Sequence, residues 1–240
     1  MDVKEIKSVF SACGFSLDED KVLLYQRYLR MLRQENKKHN LTRILEPRAI
    51  LEEHFCDSLA GLFVKPEKEV RLLDLGSGAG FPGVPLKIFV PEIKLYLLEA
   101  VRKKIIFLSR LVRELGLKNV TLWQQRAEDL GRSHYRENFT WVTARAVAPL
   151  AVILELALPL VQEGGIFCSW QGPKAFWELE RAGDILLRCG GKLKNVRSYR
   201  LPFCGKKRLI MIFEKVAKTE GRFPRRSGIP QKRPWFNKNI

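Results

Sequence analysis

The spacing of apolar positions changes character partway along the chain. Up to about residue 61 they return at intervals of three and four: Leu24, Tyr28, Met31 and Leu32 form one stripe after Asp18, a helix cap, and Ile50, Leu51, Phe55 and Leu59 form another after Pro47. A small helical N-terminal part is predicted, closed by the polar, proline-containing Lys65-Pro66-Glu67-Lys68. From Val70 short apolar runs alternate with longer amphipathic ones, the pattern of a parallel sheet with crossover helices. The strands expected are Arg71–Leu75, Lys94–Glu99, Val120–Gln124, Trp141–Ala144 and Ile166–Trp170. Helices fill the intervals at Val84–Phe89, Arg102–Gly116, Leu150–Val161 and Ala175–Cys189. Two further strands, Lys192–Arg200 and Arg208–Lys215, face each other across Pro202-Phe203-Cys204-Gly205 and read as antiparallel, and the chain from Gly221 reads as loop. The division expected is a helical cap over 1–64, an α/β ligand-binding domain over 65–217 and a basic tail over 218–240.

Charge adds a partner to this outline. The 240 residues carry a net charge of +17, and the excess is uneven: fifteen Lys/Arg against two acids from Lys192 to Ile240, a net of +13. A localised excess of this size points to a polyanion, nucleic acid first and an anionic membrane surface second. Nothing in the sequence reads as a membrane span, since the most apolar stretch, Val147 to Val161, holds Glu155, Pro149 and Pro159. The start shows no basic-then-apolar leader pattern. Five cysteines without a CxxC, and three histidines without metal spacing, argue for reduced thiols in the cytoplasm and no metal. The basic end offers no apolar patch that demands a second chain, so a monomer is favoured.

Leu72-Leu73-Asp74-Leu75-Gly76-Ser77-Gly78-Ala79-Gly80-Phe81-Pro82-Gly83 carries the strongest local signal. Glycines directly after a buried strand let the backbone turn sharply and approach a ligand. Gly78 to Gly83 formally fits GxGxxG, but counting from the strand end at Gly76 puts Phe81 where the dinucleotide pattern needs its last glycine. S-adenosylmethionine, which has no pyrophosphate to seat, places no such demand. Glu99, twenty-three residues beyond Gly76, ends the second strand where a carboxylate accepts from ribose hydroxyls of either nucleotide. Ala127 and Glu128, after the third strand, suit an adenine edge.

The same loop resembles that of the RsmG (GidB) family, S-adenosylmethionine-dependent methyltransferases of bacterial 16S ribosomal RNA. So do His39-Asn40-Leu41-Thr42, His54-Phe55-Cys56-Asp57-Ser58-Leu59, Arg126-Ala127-Glu128, Ala144-Arg145-Ala146 and Phe223-Pro224-Arg225-Arg226-Ser227-Gly228-Ile229-Pro230, in the family's order. The resemblance implies a Rossmann-like class I methyltransferase sheet. It further implies that S-adenosyl-L-methionine meets Gly76, Gly78 and Phe81 on one side, Glu99 at the ribose, and Ala127 and Glu128 at the adenine, with Arg145 beside the site. The substrate it implies is N7 of a guanine in 16S ribosomal RNA, naked or within the small subunit. Asn40, Thr42, His54 and Asp57 enter on resemblance as weaker candidates. Many members carry Lys-Gly after the fifth strand, where this chain reads Gln171-Gly172 with Lys174 beyond.

Motifs for other methylations are absent from the sequence. Exocyclic-amine methylation would call for an Asn/Asp-Pro-Pro-aromatic cluster after strand four, where the chain reads Thr143-Ala144-Arg145-Ala146-Val147-Ala148-Pro149, and pyrimidine C5 chemistry calls for a Pro-Cys nucleophile. Guanine N7 has a lone pair and no proton, so no catalytic acid or base is expected. In the basic C-terminal end from Lys192 on, cations interleave with aromatics, a mixture suited to phosphate pairing and base stacking, and Arg197, Arg200, Arg225, Arg226 and Lys232 are the RNA-binding candidates. An NAD-dependent oxidoreductase and a non-enzymatic RNA-binding module stay open beside the methyltransferase.

Overall fold

The computed structural model describes residues 1–64, 69–172 and 175–236. The proline-containing break at 65–68 and Lys174 lie outside the described residues. Seven strands form one sheet in the order β3-β2-β1-β4-β5-β7-β6. They are β1 (Arg71–Leu75), β2 (Lys94–Leu98), β3 (Val120–Trp123), β4 (Phe139–Arg145), β5 (Val161–Gln171), β6 (Gly191–Arg200) and β7 (Lys207–Lys215). The first five run parallel, β7 pairs antiparallel with β5, and β6 with β7. The α/β class with antiparallel C-terminal strands is therefore as the sequence predicts.

Alternation along the strands sorts the core into two layers. Leu72, Trp141, Cys168, Ile210 and Ile212 pack on one face, and Leu73, Leu75, Val142, Phe167, Met211 and Phe213 on the other. The first face is covered by α1 (Val3–Ala12), α2 (Glu19–His39), α5 (Gly83–Phe89) and α6 (Arg102–Glu114). Between α2 and β1 the chain turns through α3 (Pro47–Ile50), a π-helical turn (Leu51–Cys56) and α4 (Asp57–Leu59). The N-terminal helices thus share a continuous core with the sheet: Tyr25, Tyr28 and Phe55 are fully buried in the same cluster as Leu72 and Trp141.

The opposite face carries α7 (Ala127–Leu130), α8 (Leu150–Ala157), α9 (Ala175–Arg181) and α10 (Gly183–Arg188). The single helix expected over Ala175–Cys189 is two, meeting around the fully buried Ala182. The chain beyond Gly221 is mostly turn and loop, as expected, but it is anchored rather than free. Phe223 is fully buried in this second core, Trp235 meets it edge-on at 5.3 Å, and Ile229–Lys232 forms a short helix, α11. Two aromatic side chains in a basic, proline-containing stretch give it a hydrophobic anchor that its average polarity hides.

Candidate functional site

The strand order reverses at β1, whose partners β2 and β4 lead the chain in opposite directions across the sheet. Ligands of open α/β sheets bind outside the carboxyl ends of the strands at such a point. A cavity of about 380 Å³ lies there, lined by Gly76 after β1, Glu99 and Val101 after β2, Ala127 and Glu128 after β3, and Ala146 and Val147 after β4. That volume falls within the roughly 300–1,000 Å³ of small-molecule sites.

Positive φ angles at Gly76 (71°), Gly78 (59°) and Gly80 (103°) make the loop after β1 possible. A Cβ on Gly76 would lie 2.8 Å from Val147, so no larger residue fits against the β4 loop. At Gly78 a Cβ would meet only the Gly76 carbonyl oxygen, 3.8 Å away, so that backbone faces open space. Three side chains hold the loop. Ser77 donates to the Asp74 carbonyl, Asp74 accepts from the Gly83 amide (3.1 Å) and the Thr143 hydroxyl (3.1 Å), and Tyr28 on α2 donates to the Ala79 carbonyl at 2.6 Å. Burial raises the Asp74 carboxyl to about 6 against an ordinary 3.8, with the Gly83 amide and Thr143 hydroxyl pulling it back.

Glu99 is almost fully buried; one carboxylate oxygen accepts from the Gly78 amide (3.0 Å) and the other from the Val101 amide (2.9 Å). Its remaining lone pairs can still accept from a ligand. Glu128 accepts from the Gly228 amide at 2.8 Å, and Gln231 lines the cavity, so the tail supplies part of its wall. Charge reading treats the tail only as an RNA grip and misses this role.

Phe81 stands apart from the cavity lining. Its ring is buried between Tyr28 (5.5 Å between centroids) and His54 (4.7 Å), with the Arg145 guanidinium 4.9 Å from its centroid. Among the described residues the stack stands between the glycine loop and the π-helical turn, and Phe81 is not among the residues that line this cavity. Arg145 donates to the Asp57 carboxylate (3.0 Å), to the Glu53 and His54 carbonyls, and to His54 Nδ1 (3.1 Å). Asp57 also accepts from the Tyr199 hydroxyl at 2.6 Å. Because Nδ1 accepts from Arg145, His54 carries its proton on Nε2, 2.7 Å from the Thr42 hydroxyl. Burial, with Arg145 adding repulsion, lowers His54 from 6.5 to about 3, so the ring is neutral at pH 7. Thr42, His54, Asp57 and Arg145 thus meet in one chain of contacts. Asn40 instead caps α2 in the left-handed conformation with its side chain outside that chain, as its φ of 48° and exposure show.

Four of the C-terminal candidates, Arg197 and Arg200 on β6 with Arg226 and Lys232 in the tail, are exposed. Arg225 is different. Its guanidinium and its amide all bind Glu155, which is fully buried, at 2.6–2.9 Å. This cation is committed to a buried carboxylate, unlike the other four candidates. The signal available in the sequence was Glu155, a lone acid in the most apolar helix, which needs a cation once buried.

Among the described residues no helix is long and apolar enough to cross a membrane. Among the described residues no three His, Cys, Asp or Glu side chains converge as a metal site.

Comparison with known proteins matches this geometry. The profile of the rRNA small subunit methyltransferase G family, GidB, matches residues 22–210. Ribosomal RNA small subunit methyltransferase G of Carboxydothermus hydrogenoformans is 42% identical over 231 residues, 96% of this chain and 98% of that protein. The Staphylococcus saprophyticus protein of the same name is 39% identical over 239 residues, 99% and 100% of the two chains. Among solved structures, M. jannaschii TYW2 in complex with AdoMet shares the fold at TM-score 0.52 and 14% identity, over 67% of this chain and 75% of that one. A SAM-dependent methyltransferase from Aquifex aeolicus does so at 0.51 and 18%, over 70% and 93%. With relatives above 30% identity along nearly the whole chain, this protein belongs to the rRNA small subunit methyltransferase G family, methyltransferases that use S-adenosylmethionine.

Proposed function

We propose that the protein methylates N7 of a guanine in 16S ribosomal RNA of the small subunit, by direct displacement and without a general base. The observation that carries the reading is the cavity at the strand-order reversal, where Gly76, Glu99, Ala127 and Glu128 converge in a chain of this family. These residues suit S-adenosylmethionine: Glu99 for the ribose hydroxyls, the Ala127 backbone and Glu128 for the adenine, and the open backbone of Gly78 for close approach. When bound, the cofactor supplies a methyl group made electrophilic by its sulfonium.

The rest is holding and excluding. N7 offers a lone pair and no proton, so the chain's task is to align the base, an effect that contributes up to about 7–11 kcal/mol in well-oriented systems. The side chains support a site without covalent catalysis. Cys168 is fully buried, its thiol pushed up to about 12, and Cys204 sits in the β6–β7 turn, where Glu52 binds its amide. Arg145, locked by Asp57 and His54, fixes the start of the Ala146–Val147 loop that closes the cavity.

The test is incubation with labelled S-adenosylmethionine and, separately, 16S RNA, assembled small subunits, tRNA and DNA, followed by nucleoside analysis. Label in 7-methylguanosine of 16S RNA or of the subunit is expected. Label only in DNA, in protein or at another base atom rejects the reading, as does calorimetric binding of NADH in place of S-adenosylhomocysteine.

A further inference from the structure

The first helical layer carries an outward-facing groove that neither the cofactor site nor the basic tail explains. We infer that the groove between α2 and the loop after it binds the phosphate backbone of the RNA substrate, on a surface separate from the C-terminal cations. This rests on the RNA reading above.

Arg30, Arg33 and Lys37 follow one another at intervals of three and four on the exposed side of α2, and Arg43 faces them from the loop. The cavity they line has a volume of about 1,040 Å³ and no acidic residue in its wall. None of the four pairs with a carboxylate among the described residues. Like charges one turn apart destabilise a helix rather than support it, so the row does not serve the fold. The adjoining groove, which shares Arg30, Gln34 and Lys37 with this one, is mixed in charge, so Arg33 and Arg43 are the cations that belong to this groove alone. In the adjoining groove Arg110 pairs with Glu35, and Glu114 also lines the wall.

Other groups in the groove suit RNA better than a membrane. Gln34 and Asn40 are exposed amides, able both to donate and to accept at sugars and base edges, and Leu45, 66% exposed, gives apolar surface without forming a large patch. The groove also leads to the cofactor cavity. Thr42 on its wall accepts from His54 Nε2, His54 accepts from Arg145, and Arg145 is followed by the cavity-lining Ala146 and Val147. Thr42 also accepts from the Ile44 amide, which leaves its hydroxyl hydrogen as a donor on the groove side. A strand held along α2 is therefore joined to the edge of the methyl-transfer site by three consecutive side chains.

The experiment compares wild-type protein with Arg33→Gln/Arg43→Gln and with Lys4→Gln/Lys118→Gln, an equal loss of charge away from the groove. Binding of protein-free 16S RNA is measured against salt, S-adenosylhomocysteine binding by calorimetry, and methylation as KM and kcat. In the groove variant RNA affinity should fall about tenfold near physiological salt, with the slope of log affinity on log salt shallower by about 1.4, two contacts at roughly 0.7 each. KM should rise, with kcat, S-adenosylhomocysteine affinity and the control pair near wild type. Unchanged RNA affinity in the groove variant, equal loss in both variants, or loss only of binding to phosphatidylglycerol vesicles overturns the inference. If the wild type binds S-adenosylhomocysteine but neither binds nor methylates RNA, the proposed function fails and the groove assignment falls with it. An active wild type matched by the groove variant removes the groove alone.

Discussion

Two basic regions of this molecule differ in a way that composition conceals. The C-terminal stretch holds most of the formal excess charge, yet six of its cations pair with carboxylates among the described residues. Lys194 meets Glu214, Lys206 and Arg208 meet Glu53, Lys215 meets Glu137, Arg222 meets Glu220, and Arg225 meets Glu155. The α2 groove holds fewer cations, and its four are unpaired among the described residues. Net charge counts groups; a polyanion responds to the groups left uncompensated on an open surface. The tail spends much of its charge fastening itself to the sheet, with Lys215, buried, donating to the Leu158 carbonyl and Thr219, and Glu53 and Glu52 gripping the β6–β7 turn.

The largest effect expected follows from Arg225. Arg225→Glu places a second carboxylate against buried Glu155, and breaking a buried pair costs about 3–5 kcal/mol. Urea unfolding should show that loss, whereas Arg33→Gln, at an exposed position, should stay within about 0.5 kcal/mol of wild type. Equal stability of both variants would erase the distinction between the two regions. A smaller effect is expected in ligand binding from Gly78→Val. A β-branched residue at φ 59° strains the backbone, and its side chain enters the space that the loop leaves open, so S-adenosylhomocysteine affinity should drop at least tenfold. Unchanged affinity by calorimetry would move the cofactor away from this loop.

Most of the fold was legible because period-two and period-3.6 patterns depend on burial, which side chains declare openly. All seven strands fall where alternation or an apolar run marks them, and Gly76, Glu99, Ala127 and Glu128 reach one cavity because strand ends are fixed by the sheet. What was hidden is pairing across distance. Tyr28 reads as one more apolar position in a helical stripe, and only the folded chain shows its hydroxyl on the Ala79 carbonyl, 51 residues away. Arg225 reads as surface charge until Glu155 is seen beneath it, and nothing in the sequence shows the His54 ring stacked on Phe81. Tyr28→Phe tests this first kind of hidden link. Removing a buried hydroxyl that satisfies a carbonyl should cost about 1–3 kcal/mol and loosen the glycine loop without touching the cations of α2. RNA affinity falling as far as cofactor affinity would show instead that the inner and outer faces of α2 are not independent.

The smallest effect expected concerns pH, because two buried groups beside the site oppose each other. Asp74, raised by burial to about 6 from 3.8, binds its proton more tightly in the folded protein, so its contribution to stability is complete below about 3.8 and is lost as pH rises through 6. His54, lowered by burial and Arg145 from 6.5 to about 3, acts the other way: its contribution is present above 6.5 and is lost as pH falls towards 3. Between about pH 4 and 6 the two slopes nearly cancel, each at most about 1.4 kcal/mol per pH unit. Asp74→Asn keeps an acceptor for the Gly83 amide and turns an amide donor towards the Thr143 oxygen, which donates to Asp74 in the wild type, so its stability should decline relative to wild type as pH falls across that window. His54→Gln removes the opposing group, and its stability should decline relative to wild type as pH rises. Thermal midpoints at half-unit steps from pH 4 to 7 read both. Parallel curves for the two variants would mean that neither group titrates as its surroundings require, and that the wall joining the α2 groove to the cofactor cavity is more hydrated than its packing implies.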